Sequence, residues 1–147
     1  QFLEEGGCFG VGSDSNIRIS LCEELRALEY SQRLRDKGRA ILCEAGLSTG
    51  RRLYEGAMLG GAQAAKRDSG RIEIGALADL VALETAPEMR GLADNDVLID
   101  NFVFAGGNEA VRDVWSAGRH IVKQGRHIKH DEIAENYNKA LADLLKD

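Results

Sequence analysis

The apolar residues of this chain repeat with two different periods, and the change falls near residue 70. Before it, Leu21, Leu25, Leu28 and Leu34, then Leu53, Ala57 and Ala64, recur at the spacing that gathers side chains on one helix face. After it, Ile72 and Ile74 alternate with polar residues, Gly75 turns the chain, and Asp79-Leu80-Val81-Ala82-Leu83 reads as a buried strand. A chain with both periods must pack helices in one part and a sheet in the other.

Local signals sharpen both parts. Gly6-Gly7-Cys8-Phe9-Gly10-Val11-Gly12 followed by Ser13-Asp14-Ser15-Asn16 predicts a short buried strand with a polar loop at its carboxyl end. Ser20 with Glu23 three residues on forms a capping box, and the helix it starts is predicted to run through Leu34 and Ile41 to a stop at Gly46. Strand, polar loop and long helix make a β/α unit. Ser48 and Thr49 announce a second helix in which Gly56, Gly60 and Ala64 repeat every fourth residue, a register that lets another backbone approach closely. In the second part, Pro87 marks a loop. Leu98, Ile99, Phe102 and Val103 after Asp96 predict a short helix, with a strand as the competing reading, closed by Gly106-Gly107. Val111–Ser116 and Arg119–Lys123 pair around Ala117-Gly118, and Gln124-Gly125 turns into a third short strand. Asp131 is expected to cap a last helix with Ile133, Tyr137, Ala140, Leu141 and Leu144 in one stripe.

Composition removes several functions. A chain of 147 residues that is 44% apolar and 29% charged suits a globular domain, with no apolar run near the length of a membrane span. A net charge of -5 offers no cationic surface to nucleic acid. Cys8, Cys22 and Cys43 are odd in number and form no CxxC pair, so free thiols in a reducing cytosol are expected. The expectation is a cytoplasmic protein with neither membrane nor nucleic acid as partner.

Few residues could carry chemistry. His127 and His130 lie in a turn, with no third and fourth ligand nearby in sequence, and read as surface histidines. Gly10-x-Gly12 lacks the remaining residues of a phosphate loop. Asp14 sits just past the carboxyl end of the first predicted strand, which in a (β/α) barrel is the catalytic mouth. A carboxylate there can bind a metal through one oxygen and take a proton from water with the other. Alone, Ser-Asp-Ser-Asn more often reads as an Asx or Ser turn that starts a helix.

Two spaced motifs bear on that choice. Gly70-x-Ile72-x-x-Gly75-x-x-Ala78-Asp79-Leu80-Val81, and later Val111-x-x-Val114-Trp115-x-x-Gly118-Arg119-x-Ile121-Val122-x-x-Gly125, resemble the small β-sandwich and closing segment of the amidohydrolase superfamily. A narrower resemblance, to the formiminoglutamate deiminases of histidine degradation, is carried by Gly12–Leu21 with Glu23–Arg35, and by Ser48–Tyr54 with Gly60–Ala64. It implies an α/β fold: the C-terminal end of a metal-dependent (β/α)8 barrel, its last strand plus helices, over residues 1–70. Part of a small β-sandwich with an inserted short helix would follow over 71–131, and a C-terminal helix over 132–147. It implies that Asp14 lies at a zinc site as metal ligand and proton carrier, and that Ser15 touches substrate or supports the site. It also implies hydrolysis of N-formimino-L-glutamate to N-formyl-L-glutamate and ammonia, by a homodimer when intact.

The sequence starts at Gln1 without an initiator Met, which fits the C-terminal portion of a longer enzyme whose remaining barrel lies upstream. The histidine ligands and general-acid glutamate of the family have no counterparts here, and catalytic zinc takes three protein ligands and a water. The chain alone is therefore expected to be inactive and, with raw sheet edges, to associate or to lack order near its start. The alternatives are another deaminase or hydrolase of the superfamily, or a noncatalytic sandwich module that assembles with a partner.

Overall fold

The structure is a computed structural model that describes residues 2–85, 89, 91 and 95–146. Helices α1 (Leu21–Asp36), α2 (Thr49–Ala64) and α3 (Asn95–Phe104) pack together, a four-stranded sheet follows, and α4 (His130–Leu144) ends the chain. The strands are β1 (Leu80–Leu83), β2 (Val111–Ser116), β3 (Arg119–Lys123) and β4 (Arg126–His127), antiparallel in that order. An α/β chain with a small antiparallel sheet and four helices thus agrees with the expected class.

The core is built by three helices. Cys22 and Leu25 of α1, Leu53 and Ala57 of α2, and Phe102 and Val103 of α3 are buried against one another. Each large apolar side chain in that cluster contributes about 1.5–3 kcal/mol by leaving water. The inserted helix is therefore part of the helical core, not an appendage of the sheet. Its carboxyl end is fixed by Arg26 of α1, whose guanidinium donates to the Val103 carbonyl at 3.0 and 3.1 Å and to that of Gly106 at 2.9 Å. Those carbonyls would otherwise be left unpaired at a helix end.

Helix α1 begins as expected, with the Ser20 hydroxyl accepting from the Glu23 backbone N–H at 3.4 Å. The reciprocal half of the capping box is replaced: the Glu23 carboxylate pairs with Arg18 at 2.8 Å. The helix stops at Asp36, not near Gly46 as the periodicity predicts. Lys37 and Ala40 both take left-handed backbone, φ 51°, and the loop folds back so that Glu29 accepts from the N–H groups of Ile41 and Leu42, each at 3.0 Å. Ile41 therefore meets the helix from a returning loop, and Leu34 is exposed.

The two hairpin turns match expectation. Ala117 and Gly118, then Gln124 and Gly125, carry paired positive φ values of 49° and 77°, and 50° and 77°, which suits the twist of the strands they join. Three other readings need correction. Residues 8–13 carry no strand, because a strand requires a hydrogen-bonded neighbour and the described residues supply none there. Ile72 and Ile74 alternate in an irregular stretch and are solvent-exposed. Asp131 lies in the first turn of α4 and pairs with Arg126, while Lys129 holds the cap position. Pro87 lies outside the described residues. The stripe Ile133, Tyr137, Leu141 and Leu144 of α4 is exposed, and Cys8, Cys22 and Cys43 are free thiols. No helix among the described residues is long and apolar enough to cross a membrane.

Candidate functional site

Asp14 owes its position to two anchors, one on each side in sequence. Upstream, Phe9 and Gly10 lie directly on α2. A Cβ added at Gly56 would fall 2.5 Å from the Phe9 ring. One at Gly60 would overlap the Phe9 carbonyl oxygen and come within 2.6 Å of its carbonyl carbon and 2.9 Å of its nitrogen. The glycines at every fourth residue thus admit the Phe9 segment, as their register predicts; Ala64, the third member, is exposed.

Downstream, Asn16 closes a turn by donating its backbone N–H to the Ser13 carbonyl at 2.8 Å, and its side-chain amide donates to Glu24 of α1 at 3.1 Å. The Ile19 carbonyl accepts from the Asn108 amide at 2.7 Å, and Ser20 then caps α1. Between the anchors, Asp14 takes left-handed backbone, φ 42°. Asp, with a short side chain able to bond its own backbone, tolerates that region better than most residues. Its Oδ1 lies over Gly12, 3.7 Å from where a Cβ would stand. Asp14 and Ser15 are both exposed at the tip of this turn. The turn expected at Ser13–Asn16 is therefore present, without the strand expected before it.

The other candidates lie elsewhere. His120 stacks on Trp115 at 4.4 Å between ring centroids, with its Nε2 2.7 Å from Asp113. This hydrogen bond holds the Asp113 carboxyl below its usual range. His127 accepts from the Lys129 N–H through Nδ1 at 3.2 Å, and His130 lies 3.3 Å from Arg126. Among the described residues no group of three or more His, Cys, Asp or Glu side chains could hold a metal ion. Asp14 is a single ligand residue where a catalytic zinc takes three, so these residues alone do not fit one. An open groove of about 1330 Å³ runs beside Phe9, Gly10, Val11 and Gly12 and on to Leu28 and Leu42. Gly12, over which the Asp14 carboxylate lies, lines it, while Asp14 itself does not.

Sequence reasoning missed Asn16 and Glu24 as the downstream anchor. The only hint was an Asn in the turn with a Glu in the first helical turn, a pair too common to single out. Asp79, which the pattern places at the start of a strand and in a family motif, immediately precedes β1. It accepts from Arg67, at 2.8 Å through Oδ1, and from the Ala117 N–H at 2.7 Å, tying the end of the helical part to the β2–β3 turn.

Comparison with known proteins adds to this geometry. The model of the Amidohydrolase family matches residues 1–121. The formimidoylglutamate deiminase of Pseudomonas aeruginosa is 43% identical over 145 residues, 98% of this chain and 32% of that protein. Among solved structures, an amidohydrolase from Brucella melitensis superposes with a TM-score of 0.87 at 44% identity, covering 98% of this chain and 32% of the other. An adenosine deaminase from Xanthomonas campestris with bound zinc gives 0.70 at 27% identity, covering 92% and 30%. The chain spans about a third of the length of each of these relatives.

Proposed function

Because this chain belongs to the Amidohydrolase family, we propose that it is the C-terminal portion of a zinc-dependent deiminase that converts N-formimino-L-glutamate and water to N-formyl-L-glutamate and ammonia. The observation that carries this reading is the 43% identity to a formimidoylglutamate deiminase across 98% of the chain. Residues 1–70 would form the last β/α unit and following helix of a barrel, 71–131 part of a β-sandwich with its inserted helix, and 132–147 the terminal helix. A cytoplasmic homodimer follows from the same family reading.

In this reaction water adds to the formimino carbon, the C–N bond to the terminal nitrogen breaks, and that nitrogen leaves as ammonia. Asp14 would take a proton from the attacking water and return one to the leaving nitrogen, as general base and then general acid. Its exposed carboxylate, fixed between two anchors, suits a group that must meet both. Ser15, beside it in the turn, would contact the substrate or support the aspartate. A zinc ion, held by Asp14 and donors from outside this chain, would supply Lewis-acid polarisation and a lowered pKa for water. The chain alone would be inactive. The 27% identity to an adenosine deaminase keeps a ring deaminase as the second reading.

The test is turnover of N-formimino-L-glutamate against adenosine and cytosine by the whole protein, with its zinc content. Asp14→Asn is expected to lower kcat by about 10²-fold or more, the scale of a lost general acid–base group, with the circular dichroism spectrum unchanged. Near-normal turnover in that variant refutes the role of Asp14, and preference for a ring amine refutes the substrate.

A further inference from the structure

We infer that Gly60 of α2 is a positioning residue for Asp14, setting where its carboxylate stands through direct backbone contact with Phe9. The inference rests on the proposed role of Asp14 in the reaction.

The contact is unusual in kind. Most helix neighbours meet through side chains that adjust, but at Gly60 the helix meets main chain: the carbonyl carbon and nitrogen of Phe9 lie 2.6 and 2.9 Å from where a Cβ would be. One residue on, a Cβ at Gly10 would stand 3.3 Å from Gly61 Cα. The two backbones touch over successive residues, and neither side has a flexible group to absorb an error. Five residues after Phe9 comes Asp14, whose far side is tethered by Asn16 to Glu24. A segment held at both ends passes a displacement at one end to the residue between. An added methyl at position 60 must push the Phe9 carbonyl away by more than about 1 Å to reach ordinary contact, and misplacement of a reacting group by about 1 Å can already cost about 10²-fold in rate.

Helix α2 also supplies its own control. A Cβ at Gly61 meets nothing within 4 Å among the described residues. Gly61→Ala therefore makes the same chemical change, one residue along the same helix, with no steric consequence for the Phe9 segment.

The experiment measures kcat and KM for Gly60→Ala, Gly10→Ala, Gly61→Ala and Asp14→Asn in the whole protein, with amide hydrogen exchange across residues 9–16. Gly60→Ala is expected to lower kcat by about 10- to 100-fold with KM changed less than about threefold, and to speed exchange over 9–14. Gly10→Ala, a milder strain on the same contact from the other side, should show a smaller kcat loss of the same kind and serves if Gly60→Ala does not fold. Gly61→Ala should match wild type. Wild-type kcat in a folded Gly60→Ala, or in Gly10→Ala should Gly60→Ala not fold, overturns the inference, as does an equal loss in Gly61→Ala. If Asp14→Asn keeps its turnover, the reaction role has failed first and the positioning role goes with it. Exchange over 9–14 then still reports separately whether Gly60 holds the segment.

Discussion

Glu29 is fully buried, yet its carboxylate accepts three hydrogen bonds: from Arg33 Nε at 2.6 Å and from the N–H groups of Ile41 and Leu42. Arg33 in turn lies 5.1 Å from the Tyr30 ring centroid and 5.5 Å from that of Phe104, so the ion pair is walled by aromatic faces. Glu29→Ala would leave two backbone donors and a half-buried guanidinium unpaired, at about 3–5 kcal/mol, read as a lower urea midpoint. A change under about 1 kcal/mol would show that water replaces the carboxylate at little cost. Asp14 and Glu29 were not equally legible in the sequence. Asp14 was singled out by its place after a predicted strand, which the described residues do not form, and by the family resemblance of its motif. Glu29 was not, because two of its partners are backbone groups of a loop, and sequence pattern says nothing of where a loop returns.

Among the elements, α3 determines how α2 begins. Asp100 accepts from the Ser48 hydroxyl at 2.8 Å and the Gly50 N–H at 2.7 Å, while Asp96 accepts from the Ser48 N–H at 3.2 Å and pairs with Arg51. Two carboxylates thus face the positive end of the α2 dipole and satisfy its first donors. Gly50 is required by the same approach, since a Cβ there would lie 2.8 Å from Asp100 Cα. Asp100→Ala should cost about 1–2 kcal/mol, as for a lost helix cap, and Ser48→Ala in the same chain should add less than its separate effect. Full additivity in thermal melts would show that the two act independently. The helices, the hairpin turns and the small-residue register of α2 were readable because each follows from nearest neighbours. The end of α1 was not, since Glu29 and its returning loop overrode an apolar period that continues through Ile41.

For the whole molecule, acid is the revealing stress. The carboxyls of Asp79, Asp96 and Asp113 are held below the usual aspartate range, chiefly by hydrogen bonds from Arg67, Arg51 and His120 respectively. Depressed folded values mean that the unfolded chain binds protons first. Their contribution is complete above the unfolded value and is lost as pH falls through the folded ones. The urea midpoint should therefore be insensitive to these groups at about pH 5–7 and decline below about pH 4, less steeply in Asp79→Asn. A decline of equal slope in that variant would remove Asp79 from the account. The change of period near residue 70 falls between the end of α2 and the start of β1. It could not show that α3, encoded beyond that point, returns to the helical core, because pattern reports the face an element buries and not the surface it finds. That return also has a consequence in time. A ribosome delivers Cys22, Leu25 and Leu53 long before Phe102 and Val103, which cover them. At roughly 5–20 residues per second, the nascent helices wait a few seconds with an unfinished apolar face, the interval in which a chaperone has something to hold.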